Sequence, residues 1–145
     1  EKIYDLDLKS CTHLAGHITD MKLLDGLYAR ADVFAFPSLY DSAPMVIREA
    51  AVMGTPSVLV RGSCAADVVT DGQNGYLCDD TAESLRDVLK NVMDDKETLE
   101  RISLCAQETI PVPWDKLMVH AVERYERLIA LNKEGKLAKK NLRMI

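Results

Sequence analysis

The sequence predicts an α/β fold in which a parallel sheet is flanked by helices. Three short apolar runs have the length and the composition of buried strands, and they cover residues 32–38, 57–62 and 75–78. Helical patterns separate these runs along the chain. Strands that are apolar on both faces and alternate with helices form parallel sheets with both faces covered. We therefore expect a Rossmann-like parallel sheet that binds its ligand at the carboxyl ends of the strands.

The order of the elements follows from periodicity. An additional short strand is predicted at 11–17, ending at Gly16. Helices are predicted over 20–31, from Pro44 to about Gly54, over 81–93, over 95–107, and from Trp114 onward. Apolar residues recur at helical spacing most regularly in the helix that begins near Trp114.

The helix ends carry recognisable signals. Pro44 suits a first helical turn, where its missing N–H costs nothing, and Gly54 suits the position after a last turn. Asp80, with Glu83 three residues later, predicts a capping box for the helix over 81–93. These signals place a helix directly after the first of the three buried strands.

Composition argues against several classes of protein. The 145 residues are 48% apolar and 28% charged, which is ordinary for one globular domain. A net charge of −5 and a pI of about 5.2 argue against a basic nucleic-acid-binding surface. The sequence shows no signal-peptide pattern, and no apolar run approaches the roughly 20 residues that span a bilayer. The four cysteines lack CxxC spacing, so we expect reduced thiols in a cytoplasmic protein.

Two acids flank the predicted helix start. Asp41 lies in the loop, and Glu49 lies eight positions later, about one and a half turns into the helix. Two interpretations are open at this point. Asp41 is a turn residue and Glu49 a solvated helix position, or both carboxylates face one ligand held against the helix N-terminus.

The helix N-terminus itself favours an anion. With Ser42 or Ala43 as the cap and Pro44 contributing no donor, the amides of Met45 and Val46 point out of the helix end. The macrodipole favours negative charge there. A carboxylate accepts hydrogen bonds through two oxygens and suits the two donors of a vicinal diol. A nucleotide sugar, with a diphosphate between two polyols, fits this layout.

The same segment resembles a known enzyme family. Its motif positions are Ala31-Asp32, Pro37-Ser38, Pro44, Glu49-Ala50, Gly54, Pro56, Asp71-Gly72 and Gly75. In combination these motifs resemble the donor-binding half of GT-B glycosyltransferases, in particular the large retaining family 4 (group 1). The resemblance covers about residues 14–80, and Trp114 with Tyr125 resembles the closing helix of the family.

The resemblance implies a role for each acid. The family's pair of acids falls on Asp41 and Glu49, so that Asp41 is the catalytic residue in contact with the donor sugar. Glu49 then binds the ribose hydroxyls of the nucleotide. The amides of Met45 and Val46 hold the diphosphate.

The remaining donor-binding positions are Ala43, Pro44 and Ile18. Family members often meet the base through the backbone at the position of Ile18. The implied reaction is retaining transfer of a hexose from a UDP- or GDP-hexose to a saccharide or lipid-linked acceptor. Helix amides and cations would stabilise the charge that develops on the departing diphosphate, and no metal ion or cofactor is expected.

Two features depart from the family pattern. The first acid is Asp41 in place of Glu, shorter by one methylene, so the sugar contact is re-aimed, made through water or lost. The upstream Arg and Lys with which the family neutralises the diphosphate have no counterpart, since Lys2 and Lys9 are poor substitutes. We therefore expect part of the C-terminal donor domain of a longer enzyme, with an uncovered sheet edge and no activity alone.

Two alternative functions stay open. One is a sugar-nucleotide epimerase of the same fold, and the other is a non-catalytic nucleotide-sugar-binding domain.

The partial donor-binding domain is expected over 1–131. A basic tail is expected over 132–145, either solvated or in contact with an acidic membrane surface. The predicted partners are a nucleotide sugar and an acceptor bound through a missing N-terminal domain, in cell-surface polysaccharide synthesis. No nucleic acid is expected.

Overall fold

The computed structural model describes residues 2–41 and 44–136. The chain forms two compact units, one ending at Pro111 and the other beginning at Val112. The first contains a three-stranded sheet with its helices, and the second contains one long helix. The helices are α1 (Lys2–Asp5), α2 (Met21–Arg30), α3 (Met45–Val52), α4 (Ala82–Asp94), α5 (Lys96–Thr109) and α6 (Trp114–Lys133), and a 3₁₀ turn covers Cys64–Val68.

The sheet is parallel throughout, as predicted. Ala35 lies opposite Val58, and Leu59 lies opposite Leu77. Each of the three predicted apolar runs contains a strand, although the strands are shorter than the runs. The strands, in their spatial order, are β1 (Phe34–Phe36), β2 (Ser57–Val60) and β3 (Tyr76–Cys78). The predicted α/β fold class is confirmed.

Strand β2 is buried on both faces, and its side chains alternate between two cores. The first core contains Leu59 and side chains of α3 and α5, namely Ile47, Ala51, Ala106 and Ile110. The second contains Val58 and Val60 and is covered by α4 through Leu85, Val88 and Leu89. Burying one large aliphatic side chain contributes about 1.5–3 kcal/mol. The two cores therefore hold the strands firmly between α3 and α5 on one face and α4 on the other.

The short strand predicted at 11–17 is wrong. Residues 12–20 have no regular structure, Leu14 is exposed, and Gly16 has a positive φ of 66°. A strand needs a hydrogen-bonded neighbour, and the described residues pair only three strands. A short apolar run does not form a strand where no neighbour is available to it.

The cap of α4 differs from the prediction by one residue. The Thr81 hydroxyl accepts a hydrogen bond from the Ser84 amide at 3.1 Å. A capping box built on Asp80 is therefore wrong, because Thr81 already supplies the oxygen that the first helical turn needs. The Ser84 hydroxyl in turn accepts from the Asp79 amide at 2.9 Å, which orders the link from β3 to α4.

The second unit consists of α6, which has 20 residues and no buried side chain. Its start at Trp114 agrees with the prediction. The helix continues to Lys133, into the first two residues of the predicted tail, and residues 137–145 lie outside the described ranges. None of the helices within 2–41 and 44–136 is long and apolar enough to cross a membrane.

A tight turn leads into β3. The Gly72 amide donates to the Gly75 carbonyl at 2.9 Å. The buried Asn74 side chain accepts from the Thr70 amide at 2.7 Å and donates to the Thr109 hydroxyl at 2.9 Å. The turn is thereby tied both to itself and to α5.

Gly75→Ala is expected to destabilise the fold. A Cβ at this position would lie 2.9 Å from a methyl carbon of Val69 and 3.1 Å from the Ser57 carbonyl oxygen. Because the backbone must move to relieve this overpacking, we expect a loss of about 1–3 kcal/mol in the free energy of unfolding, measured in urea. The control is Gly26→Ala in α2, where an added Cβ meets no atom within 4 Å. It should be neutral or stabilising, and a Gly75 variant as stable as the parent would contradict the close contact.

The cap of α5 predicts a dependence of stability on pH. The Asp95 carboxylate accepts from the Thr98 amide at 3.0 Å, and this bond lowers the pKa of Asp95 below its ordinary value. Such a carboxylate contributes stability that is present above its unfolded pKa and is lost as the pH falls through the folded value. Asp95→Ala should therefore melt at a lower Tm than the parent near neutral pH, and the difference should shrink in melts recorded below about pH 4.

Asp94→Ala is the control for this experiment. Asp94 precedes the same helix start, but its carboxylate makes no hydrogen bond within the described ranges, so its removal should lower the Tm less than the removal of Asp95. An Asp95→Ala difference that stays equally large in acid would contradict the role of the charge.

Candidate functional site

The three strands end at one edge of the sheet because they are parallel. The described segments that follow them are 37–41 after β1, 61–63 after β2 and 79–81 after β3. Open parallel sheets bind ligands at this edge, in crevices outside the carboxyl ends of the strands. The edge that these three segments form is therefore the candidate site.

The segment after β1 carries Asp41. The Ser38 amide donates to the Phe36 carbonyl at 2.9 Å, so the chain turns as it leaves the strand. Tyr40 is 96% exposed, and Asp41 is exposed. The structure thus places Asp41 at the predicted edge, in solvent.

Helix α3 begins at this edge with Pro44 as its N-cap residue. Pro44 occupies the N-cap position with an extended backbone (φ −64°, ψ 129°), and no described side chain caps the helix. The predicted cap at Ser42 or Ala43 is therefore wrong, because Pro44 has an extended backbone and the helix begins at the residue after it. Ser42 and Ala43 themselves lie outside the described ranges. A proline side chain accepts no hydrogen bond, so the first-turn amides, including those of Met45 and Val46, remain available to a ligand.

Other helices of the first unit are capped by side chains. Asp20 caps α2, Thr81 caps α4 and Asp95 caps α5. The start of α3 has no side-chain cap among the described residues, and the positive end of its dipole is directed at the candidate site. An anion at this end would be stabilised by the dipole and by hydrogen bonds from the amides.

Glu49 lies in the second turn of α3 and is half-buried. The side chain of its neighbour Arg48 reaches the end of α5 and donates to the Ile110 carbonyl at 2.6 Å. Successive residues of a helix point about 100° apart, so the Glu49 side chain leaves α3 in a different direction from that of Arg48. Within the described ranges its carboxylate makes no hydrogen bond and no ion pair.

Tyr28 lies on α2, which packs against α3. Burial raises the pKa of the Tyr28 phenol, and the negative charges of Glu49 and Asp25 raise it further. Within the described ranges no hydrogen bond joins the Tyr28 hydroxyl to Glu49.

Arg61, directly after β2, belongs to an ion-pair network that sequence reasoning missed. Its guanidinium lies 2.8 Å from one carboxylate oxygen of Asp71 and 3.8 Å from Asp79. The other Asp71 oxygen accepts from the Leu77 amide at 3.0 Å, which ties the turn to β3. The hydrogen bond to Asp71 raises the pKa of Arg61 above its ordinary value. The positive charge of Arg61 is thus already compensated by acids of its own domain.

The only signal for Arg61 in the sequence is its place immediately after a buried strand. Its partner Asp71 is part of the Asp71-Gly72 motif that resembles the family. That motif does not predict an ion pair with a residue ten positions earlier in the chain. Asp71 is a structural residue in this arrangement, because both of its oxygens serve the turn and β3.

A cavity of about 220 Å³ opens at the same edge, between the strand ends and the start of α4. Its lining includes Pro37 after β1, Val60 and Cys78 at the strand ends, and Asp79 and Thr81 before α4. Burial raises the pKa of the Cys78 thiol, which is therefore neutral near physiological pH. The cavity extends the candidate site from the loop after β1 across the ends of β2 and β3.

The structure collects most of the predicted site residues on one loop and one helix. These residues are Asp41, Pro44, Met45, Val46 and Glu49. Ile18 is separate from them, half-buried in the irregular segment before α2. Ala43 lies outside the described residues. The binding and catalytic roles of all seven residues stay predictions.

The described ranges hold no group of three or more His, Cys, Asp or Glu residues placed to bind a metal ion. The four cysteines are free, with Cys11 and Cys64 exposed, Cys78 buried and Cys105 half-buried. Free thiols agree with the expected reduced state.

Many α/β proteins share this site geometry, so the geometry alone does not identify the family. A comparison with known families does. The model of the family described as "Glycosyl transferases group 1" matches residues 1–109, which is most of the chain. The chain belongs to the group 1 glycosyltransferases. The family resemblance that the motifs carried is confirmed.

One curated member of this kind is the GDP-mannose-dependent alpha-mannosyltransferase of Corynebacterium glutamicum. The two sequences are 27% identical over 107 residues, which cover 72% of this chain and 26% of that protein. The chain therefore spans about a quarter of the length of this relative.

Solved structures show the same fold. Sucrose-phosphate synthase from Thermosynechococcus elongatus superposes with a TM-score of 0.78 at 21% identity, covering 89% of this chain and 33% of that chain. Anabaena Alr3699/HepE, crystallised in complex with UDP, superposes with a TM-score of 0.72 at 22% identity, covering 86% of this chain and 35% of that chain. The GT-B assignment of the group 1 fold is thereby confirmed.

Proposed function

We propose that this chain is part of the donor-binding domain of a retaining glycosyltransferase that transfers a hexose from UDP-hexose or GDP-hexose. The observation that carries the proposal is the start of α3, which has no side-chain cap among the described residues and is flanked by Asp41 and Glu49 at the ligand edge. Membership of the group 1 family supports the class of reaction.

Two comparisons support a nucleotide-sugar donor. The Anabaena protein was crystallised with UDP, and the Corynebacterium relative is named as GDP-mannose-dependent. Both ligands contain a nucleoside diphosphate, so they share the ribose and the two phosphates that the start of α3 is proposed to hold. The bases differ between them, and UDP itself carries no hexose, so the proposal keeps both nucleotides.

The proposed arrangement follows the direction of α3. The diphosphate lies against the amides of Met45 and Val46, the ribose diol binds the Glu49 carboxylate, and the hexose lies beside Asp41. As the bond from the sugar to the diphosphate breaks, negative charge grows on the phosphate oxygens, and the helix amides stabilise it. The sugar becomes oxocarbenium-like in the same step, and the negative charge of Asp41 beside it is favourable.

The diphosphate also needs a cation. Arg61 is engaged by Asp71 at 2.8 Å, so we propose that the neutralising cations come from outside the described residues. A saccharide or lipid-linked acceptor would bind through a further domain of the longer protein, in the cytoplasm and in cell-surface polysaccharide synthesis. On this proposal residues 1–145 alone do not transfer sugar.

A non-catalytic nucleotide-sugar-binding domain is the second candidate. It is favoured by the aspartate at position 41, which is shorter than the family's glutamate, and by the compensated charge of Arg61. Both candidate functions require nucleotide-sugar binding, but only the glycosyltransferase has turnover. Variants of Asp41 and Glu49, assayed for binding and for turnover, therefore distinguish the two.

Glu49→Gln in the full-length protein should weaken nucleotide binding. The substitution keeps the size of the side chain but removes its charge and one acceptor oxygen. A hydrogen bond to a charged group is worth about 1.5–3 kcal/mol, so the Kd for UDP or GDP in calorimetric titration should rise on the order of tenfold to a hundredfold. The Tm without ligand should change little, because the carboxylate has no described protein partner.

The control is Glu100→Gln on α5, which lies beside Asp32 at the opposite edge of the sheet. It should bind both nucleotides like the parent. If Glu49→Gln instead lowers the Tm and leaves the Kd unchanged, Glu49 serves only to pack α3.

Asp41→Ala should separate transfer from nucleotide binding. Asp41 precedes α3 on the proposed sugar side, so turnover should fall strongly while the Kd for UDP or GDP stays the same. Asp32→Ala is a matched control, because Asp32 lies two residues before β1 whereas Asp41 follows the strand. Its turnover per folded molecule should match the parent. Intact transfer in Asp41→Ala would show that Asp41 is a turn residue only.

Asp41→Glu tests the missing methylene. We expect lower turnover, because Ser42 and Ala43 also stand where the resembled family usually has Gly and an aromatic residue. We propose that this loop changed together around the shorter acid. Higher turnover would show instead that the aspartate is a handicap that this protein tolerates.

A further inference from the structure

Helix α3 is tied to neighbouring helices by side-chain hydrogen bonds near both of its ends. At its last residue the Gln107 side chain of α5 donates to the Val52 carbonyl at 2.8 Å, and in the following turn the Thr55 hydroxyl donates to a backbone carbonyl of α2. In its first turn the Arg48 guanidinium donates to the Ile110 carbonyl at 2.6 Å. Within the described ranges, this is the one side-chain hydrogen bond that ties the half of α3 nearest the ligand edge to another element.

Arg48 is a basic residue at the start of a helix, where the macrodipole disfavours positive charge. Its guanidinium reaches Ile110, the C-cap residue of α5, where the helix dipole favours a cation and the last carbonyls need donors. No acid forms an ion pair with Arg48 among the residues that the structure describes. The described polar partner of Arg48 is therefore a backbone group of α5.

Apolar contacts also hold α3 against α5. Ile47 lies in the same core as Ala106 and Ile110. Such contacts are non-directional, so they do not by themselves fix how a helix is rotated, whereas a hydrogen bond has a preferred direction. The bond from Arg48 therefore sets the orientation of the first turn of α3 on α5, and with it the direction of the first-turn amides.

We infer that Arg48 is a positioning residue for the nucleotide diphosphate, holding the first turn of α3 so that its amides are placed for the phosphates before binding. The inference rests on the proposed function, because it assigns Arg48 a part in diphosphate binding at the start of α3. It goes beyond that function, since Arg48 acts through α5 and does not touch the ligand. A first turn that is oriented before binding loses less conformational freedom when the diphosphate arrives.

The test compares two variants of the full-length protein, Arg48→Met and Gln107→Met. Each keeps an unbranched side chain and removes one hydrogen bond between α5 and α3, the first near the start of α3 and the second at its end. Both variants should therefore melt at a lower Tm than the parent. Only Arg48→Met should raise the Kd for UDP or GDP, about threefold to tenfold in calorimetric titration, as for one hydrogen bond.

Two further measurements separate positioning from simple attraction between the Arg48 charge and the phosphates. Arg48→Lys keeps the charge and a donor, so it should recover most of the lost affinity. The ratio of the Kd of Arg48→Met to that of the parent should be the same at about 0.1 M and about 1 M NaCl, although the Debye length falls from about 10 Å to about 3 Å.

A ratio that falls toward one in high salt would show that the Arg48 charge acts directly on the ligand, and it would overturn the inference. An Arg48→Met variant that binds like the parent, or a Gln107→Met variant that is weakened equally, would also overturn it while the proposed function stands. An Arg48→Lys variant as weak as Arg48→Met would contradict the role of the donor. If the parent itself binds neither UDP nor GDP, the proposed function fails, and the role of Arg48 fails with it.

Discussion

Burial of β2 on both faces is the constraint on which the rest of the first unit depends. Val58 and Val60 face α4, whereas Leu59 faces α3 and α5. A strand covered on both faces cannot slip by one residue without moving every side chain to the wrong core. Its partners β1 and β3 are therefore fixed in register as well, and all three carboxyl ends meet at one edge.

The site helix is anchored to this frame along its length and left open at its start. Ile47, Ala50 and Ala51 are buried, Arg48 donates to the end of α5, and Thr55 ties the following turn to α2. Ile47 and Arg48 anchor the first turn through their side chains, and none of these anchors uses the amides of Met45 and Val46. The fold thus supplies rigidity to the helix while its free amides remain directed at the ligand edge.

Sequence reasoning succeeds where the physical cause is local. The apolar run of β2 and the proline and glycine at the two ends of α3 predict an α/β frame, and Asp41 and Glu49 follow from their places beside that helix. It fails where a distant partner decides the outcome. Residues 11–17 look like a strand but have no neighbour to pair with, and the bond of Arg61 to Asp71 exists only once β2 and the turn before β3 are side by side.

The acids of the first unit divide into those with a structural partner and those without one. Asp20 and Asp95 cap helices, and Asp71 serves both the Leu77 amide and Arg61. In each case the carboxylate satisfies groups of the protein itself, and a ligand would have to displace them. Asp41 and Glu49 have no such partner within the described ranges. The two acids that the family pattern assigns to the donor are therefore among those that the fold leaves available, which is the physical reason to seek the donor at the start of α3.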